Sequence, residues 1–272
     1  MKIKMFVILI MLLFTNNINA EGIDNMTNCV KKISILFVGN SYTHMNNFSN
    51  MVSDIGKQLG DTIYSDFSAF DSYTLERHFS TQETIEKINS KCWDYVVLQE
   101  QSQRPVLDMN TFNDRIIYYA DKLLQIIYKN NPETKPLFLM TWGRKNGDKE
   151  LCKKFSYTCT YEQMQNMLIE RYNLLGYMLG IDVVPCGIAW QYFTLNNHNN
   201  IDLFNEDNSH PNEVGSYLNA LCFYSAITGK SAVGTISPIE NISATSTLEL
   251  QKKAFEVINE YLIQPMKPKN NH

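Results

Sequence analysis

Two short apolar runs, Ile35-Leu36-Phe37-Val38 and Tyr95-Val96-Val97-Leu98, constrain the fold of this chain more than any other feature. Neither alternates with polar residues, so neither suits a strand with one wet face. Both read as strands buried on two sides, as in a parallel sheet covered by helices. Three further runs extend the pattern: Thr62–Phe67, Leu137–Thr141 and Ile181–Val184. Helix-like stretches separate and follow them, at Asn47–Leu59, Thr81–Ile88, Phe112–Tyr128, Glu162–Leu179, Glu213–Thr228 and Thr247–Ile263. This alternation predicts an α/β fold with helices on both faces of the sheet. No repeat, long linker or low-complexity block interrupts it, so residues 21–272 read as one domain. In such sheets the chemistry collects at the carboxyl ends of the strands, where Ser41, Gln99, Trp142 and Cys186 fall.

The first twenty residues stand apart. Lys2 and Lys4 precede an apolar stretch, Met5 to Phe14, and a polar segment then ends at Ala20. That order is a secretory signal, too short to span a bilayer. Residues 1–20 are therefore expected to be removed and the rest exported, to the extracellular space, a periplasm or an endomembrane lumen, with no membrane segment left. The formal net charge of -4 gives no reason to expect nucleic acid or an anionic membrane as partner. Six cysteines fit export. Cys152 and Cys159 bracket a short polar segment, and Cys29 and Cys92 each precede an apolar run, which leaves Cys186 and Cys222 as a third pair. No Cys-x-x-Cys occurs and no Cys/His spacing resembles a zinc site, so neither metal nor cofactor is expected. Asn25, Asn47 and Asn241 open Asn-x-Ser/Thr sequons, and Asn47 is expected to pack against the sheet and stay unmodified.

Ser41 sits where the first strand breaks at Gly39-Asn40 and a helix should begin. Its own N–H would point out of a helix N-terminus toward a developing oxyanion, although a plain N-cap serine is common there. Far downstream, Asp207-Asn208-Ser209-His210-Pro211 places a carboxylate three residues before a histidine, close enough to meet on one loop. Together they make a nucleophile set: His210 takes the Ser41 proton, and Asp207 fixes the tautomer and steadies the imidazolium. Gly39-Asn40-Ser41-Tyr42 lacks the second glycine of a Gly-x-Ser-x-Gly elbow, which disfavours an α/β-hydrolase.

Gly39-Asn40-Ser41, with Asp207-x-x-His210-Pro211 followed by Gly215 and Tyr217, resembles the SGNH or GDSL-type hydrolase superfamily over roughly residues 33–229. The resemblance implies a three-layer α/β/α sandwich on a five-stranded parallel sheet, with Ser41 as nucleophile, His210 as base and Asp207 as its partner. It also implies a cofactor-free ester hydrolase acting through an acyl-enzyme on a short-chain acyl ester, such as an O-acetyl group on a glycan. The middle blocks depart from the family. Asp71-Ser72-Tyr73 stands where a glycine is usual, and Gln99-Glu100-Gln101-Ser102 where an asparagine motif is usual. Oxyanion donors are then expected from the Ser41 and Ser72 amides and from Gln101 or Gln99, with Gln101 favoured. Trp142 and Arg144, just past the fourth strand, are candidate substrate contacts, His44 and the Arg77-His78 pair are expected at the surface, and Glu100 is left without a role. The degraded middle blocks also admit a non-catalytic glycan-binding module on this fold, and the same residues would serve an acyltransferase.

Overall fold

The computed structural model describes residues 32–196 and 200–263. It opens with β1 (Lys32–Gly39), α1 (Ser41–His44) and α2 (Phe48–Gln58), then β2 (Thr62–Ala69). Next come α3 (Leu75–Phe79), α4 (Gln82–Asn89), β3 (Tyr95–Leu98) and α5 (Met109–Thr111), which runs through a π-helical stretch (Phe112–Ile117) into α6 (Tyr118–Asn130). β4 (Lys135–Leu139), α7 (Lys149–Cys152), α8 (Tyr161–Leu179) and β5 (Asp182–Val184) follow, then α9 (Cys186–Asn196), α10 (Glu213–Thr228) and α11 (Ala244–Ile263).

The five strands pair in parallel in the order β2-β1-β3-β4-β5. That order reverses direction between β1 and β3. The connections leaving the two strands part to opposite sides and open a crevice beyond their carboxyl ends. Ser41 follows one of these strands and Gln99 the other.

Side chains of β1 divide between two cores, as a period of two requires. Ile33, Ile35 and Phe37 pack with α2, α10 and α11, whereas Leu36 and Val38 pack with α6 and α8. Phe37 meets Phe48 and Phe223 edge to face, at 4.8 and 5.1 Å between ring centres. Burying each such ring contributes about 1.5–3 kcal/mol. Helix α10 is buried on nearly every side, which makes it a core helix and not a surface one. Asn212 caps its start by accepting from Gly215 N–H at 2.9 Å, and Gly229 ends it at φ +70°, a left-handed turn that suits glycine.

Some expectations hold here and others do not. Asn47 lies exposed at the N-cap of α2 with φ +58°, so it is not packed against the sheet. Cys152 and Cys159 form a disulfide with Cα atoms 4.7 Å apart, while Cys186 and Cys222 are free thiols buried beside each other. Cys92 is an exposed free thiol, against the expected Cys29–Cys92 pairing, while Cys29 itself, the Asn25 sequon and the leader lie outside the described residues. No helix among those residues is long and apolar enough to cross a membrane.

Candidate active site

The strand-to-helix turn after β1 is held by contacts that admit few other residues. A Cβ on Gly39 would lie 2.3 Å from Thr43 Oγ1 and 2.4 Å from Gln99 Oε1, so this position must be glycine. Asn40 caps α1: its Oδ1 accepts from Tyr42 N–H at 3.1 Å, and its Nδ2 donates to the Tyr73 carbonyl at 2.9 Å. Ser41 is then the first helical residue, and its amide is one of the donors that a helix start leaves without an intrahelical partner.

The Ser41 hydroxyl lies 2.9 Å from His210 Nε2, across 169 residues of sequence. His210 Nδ1 pairs with Asp207 Oδ2. The other Asp207 oxygen accepts from the Ser209 and His210 amides at 3.0 and 2.9 Å. One carboxylate therefore shapes the loop and orients the imidazole at once. Burial pushes the Asp207 carboxyl up, but the hydrogen bonds from His210 and the two amides outweigh it and leave the group below the ordinary carboxylate range. Asp207 stays ionised, as a partner for an imidazolium must. Nε2 is left as the acceptor facing the Ser41 hydroxyl when Nδ1 carries the proton.

The loop carrying His210 is anchored from below. Trp142 Nε1 donates to the Ser209 carbonyl at 3.1 Å, and the Tyr42 hydroxyl meets Ser209 Oγ at 2.7 Å. Tyr42, Trp142 and Trp190 form a parallel stack with centroids 4.6 and 3.9 Å apart. Tyr42 also presents its edge to His210 at 5.3 Å. Trp142 is fully buried in this stack, so it is a support for the histidine loop and not the substrate contact the sequence suggested. Arg144 Nε stands 3.2 Å from Asp148 Oδ2, an ion pair too bent for a hydrogen bond.

No family model matches the sequence, and no curated protein matches it. Solved structures do. A DUF4886 family protein from Bacteroides uniformis is 18% identical, with a TM-score of 0.71 over 88% of this chain and 98% of its own. A protein from Slackia heliotrinireducens assigned to the SGNH hydrolases is 20% identical, with a TM-score of 0.58 over 72% and 100%. The acetyl xylan esterase AlAXEase is 16% identical, with a TM-score of 0.56 over the same shares. The chain has the SGNH hydrolase fold. At these identities the likeness is one of fold.

Two loops follow β2 and β3, the strands that flank β1. Tyr73 N–H donates to the Phe70 carbonyl at 3.1 Å and closes a turn in which Ser72 has φ +59°. A serine there costs roughly 1–2 kcal/mol relative to glycine. This explains why the turn could not be read from a glycine. The Ser72 N–H has no acceptor among the described residues. Gln99 is a correction. It is fully buried, its Oε1 accepts from Asn40 N–H and Thr43 Oγ1 at 2.8 Å each, and its Nε2 donates to the Glu100 carbonyl. Its amide is spent on holding the nucleophile turn. Gln101 sits further out, with Nε2 3.2 Å from Gln103 Oε1.

Two buried ionisable groups behind the site were missed. His78 is not a surface residue. It has no exposure, its Nε2 donates to the Gly39 carbonyl at 2.7 Å, and its Nδ1 accepts from Thr84 Oγ1 at 2.9 Å. Burial pushes its pKa down to about 4, against the opposing pull of the Gly39 carbonyl. Glu100 is buried beside Gln101, whose N–H it accepts at 2.6 Å. Burial pushes its carboxyl up to about 7, partly offset by the nearby Arg104 charge and by backbone donors. His44 is half-buried and pairs with Asp71 at 2.8 Å. No cluster of His, Cys, Asp and Glu among the described residues is arranged to hold a metal ion.

Proposed function

We propose that this protein is an exported serine ester hydrolase that works through an acyl-enzyme on Ser41. The observation that carries the reading is the 2.9 Å contact between Ser41 Oγ and His210 Nε2, with Asp207 on the other ring nitrogen. Ser41 Oγ attacks the ester carbonyl carbon as its proton passes to His210 Nε2. The carbonyl oxygen becomes an oxyanion beside the Ser41 and Ser72 amides, with the Gln101 side chain as a third donor once it leaves Gln103. Collapse breaks the bond to the alkoxy oxygen, which departs with the proton from His210. Water then gives its proton to His210, attacks the acyl carbon and frees the acid and Ser41. No step calls for a cofactor.

A short acyl group, such as O-acetyl on a glycan, is the substrate class this reading favours, and acetyl xylan esterases among the proteins sharing the fold support it. The leader-like residues 1–20 and the Cys152–Cys159 bridge support export. Turnover of para-nitrophenyl acetate by wild type and by Ser41→Ala tests the proposal. Wild type should hydrolyse the ester and the variant should not, and equal rates in the two proteins would discard the mechanism.

A further inference from the structure

Next to the site lies an open cavity of about 820 Å³ that the mechanism above leaves without a task. Ser72 and Gln101, two of the proposed oxyanion residues, line it. Tyr73, whose carbonyl accepts from the Asn40 side chain beside Ser41, also lines it. The cavity thus shares Ser72 and Gln101 with the proposed oxyanion site.

Two arginines, Arg77 and Arg104, line the cavity together with one carboxylate, Glu76. Arg104 Nη2 donates to Glu76 Oε2 at 3.1 Å, but the second Glu76 oxygen is already taken by Arg115. Burial pushes the Glu76 carboxyl up, yet the hydrogen bond from Arg104 and the charges of both arginines outweigh it, so it stays ionised. One carboxylate is therefore shared by two guanidinium groups. Arg77 has no ion-pair partner among the described residues and lies over the Tyr73 ring at 5.7 Å. The carboxyl of Glu100, behind Gln101, is pushed up by burial and offsets this charge less than a surface carboxylate would. A surplus of positive charge inside a chain of net charge -4 calls for an anion.

We propose that this cavity binds a carboxylate carried by the substrate, with Arg77 and Arg104 as its ligands, and that the protein acts on acylated acidic sugars in preference to neutral ones. The proposal rests on the ester hydrolase reading and adds the substrate class. A planar carboxylate matches the fork of a guanidinium. The half-buried Tyr73 ring, packed against Phe70 and His78, backs the Arg77 guanidinium at 5.7 Å and helps to hold it in place.

The test compares kcat/KM on O-acetylated glucuronic acid with that on its methyl ester, which is the same sugar without the charge. A second pair, para-nitrophenyl hemisuccinate against para-nitrophenyl butyrate, places the carboxylate on the acyl side. Wild type should favour the acidic sugar by on the order of tenfold at low salt, with the preference fading as salt screens it. Arg77→Gln should bring the ratio close to one. A preference confined to the hemisuccinate pair and lost in Arg77→Gln keeps the carboxylate site but assigns it to the acyl portion. Equal rates on both pairs, or a preference that survives in both Arg77→Gln and Arg104→Gln, overturns the proposal. Failure of the hydrolase reading is distinguishable, because para-nitrophenyl acetate would then not turn over at all. In that event calorimetric titration of Ser41→Ala protein with glucuronate still decides: binding that is lost on adding Arg77→Gln supports the cavity, and no binding overturns it.

Discussion

Ser41 is held from two sides by groups of opposite character. On one side Asp207 and His210 lie three residues apart on a loop, both open to solvent over a third to a half of their side chains. On the other, Gln99, Glu100 and His78 arrive from the end of β3 and from α3 with almost no exposure. The open side carries groups that must exchange protons during turnover, and water close by keeps both charge states accessible. The buried side carries groups whose hydrogen bonds are already complete, and burial holds His78 in its neutral form. Chemistry sits on the first side and geometry on the second.

Removing the reactive side should have the largest effect. His210→Ala should lose as much turnover of an acetyl ester as Ser41→Ala, on the order of 10⁴-fold or more, because the residues act as a unit. Asp207→Asn should cost as much or less. Undiminished kcat in His210→Ala would break the comparison at its centre.

The next effect separates the two glutamines. Gln101→Ala should lower kcat by about 10²–10³ if its amide reaches the oxyanion, and its melting temperature should fall less than that of Gln99→Ala, since its Oε1 accepts only from the part-buried Gln103 and Arg104 amides. Gln99→Ala strands the Asn40 amide and the Thr43 hydroxyl in the interior and should cost roughly 1–3 kcal/mol of stability. Paired thermal melts and kcat values check both. A Gln101 variant that loses stability but not rate would reverse the roles.

The way these residues divide also explains what could be read from the chain. Asp207 and His210 were legible because their meeting is local, three residues apart on one loop. The parallel sheet was legible because Ile35–Val38 and Tyr95–Leu98 are apolar without alternation. Helix α9 was not read, because Cys186-Gly187-Ile188-Ala189-Trp190 is apolar on successive residues and shows no polar face. The tasks of Gln99 and His78 were hidden for another reason. Each exists only after β1 and β3 pair and α3 folds over the Gly39 carbonyl. Trp142 was misassigned in the same way, since nothing local announces the stack with Tyr42 and Trp190.

A smaller effect concerns pH and stability. His78 titrates near 4 when folded and about 6.5 when unfolded, so the unfolded chain binds more protons between those values. Its contribution is full above about 6.5 and is lost as pH falls toward 4. Glu100 titrates near 7 when folded, above its ordinary 4.5, so its contribution is full below that value and is lost as pH rises to 7. Each amounts to about 3 kcal/mol at most, and the two oppose each other over most of the same window. Glu100→Gln removes one slope. Its urea midpoint should fall faster than that of wild type as pH drops from neutrality toward 4. Parallel pH profiles in the two proteins would mean that the buried pair does not offset.

The central claim, that His210 activates Ser41 for attack, is tested most directly without any choice of substrate. A fluorophosphonate probe forms an oxygen–phosphorus bond to an activated serine and releases fluoride. Peptide mass spectrometry of the treated protein should place the probe on Ser41 in wild type and find it absent in His210→Ala. Labelling at another serine, or equal labelling of Ser41 with and without His210, would contradict the account.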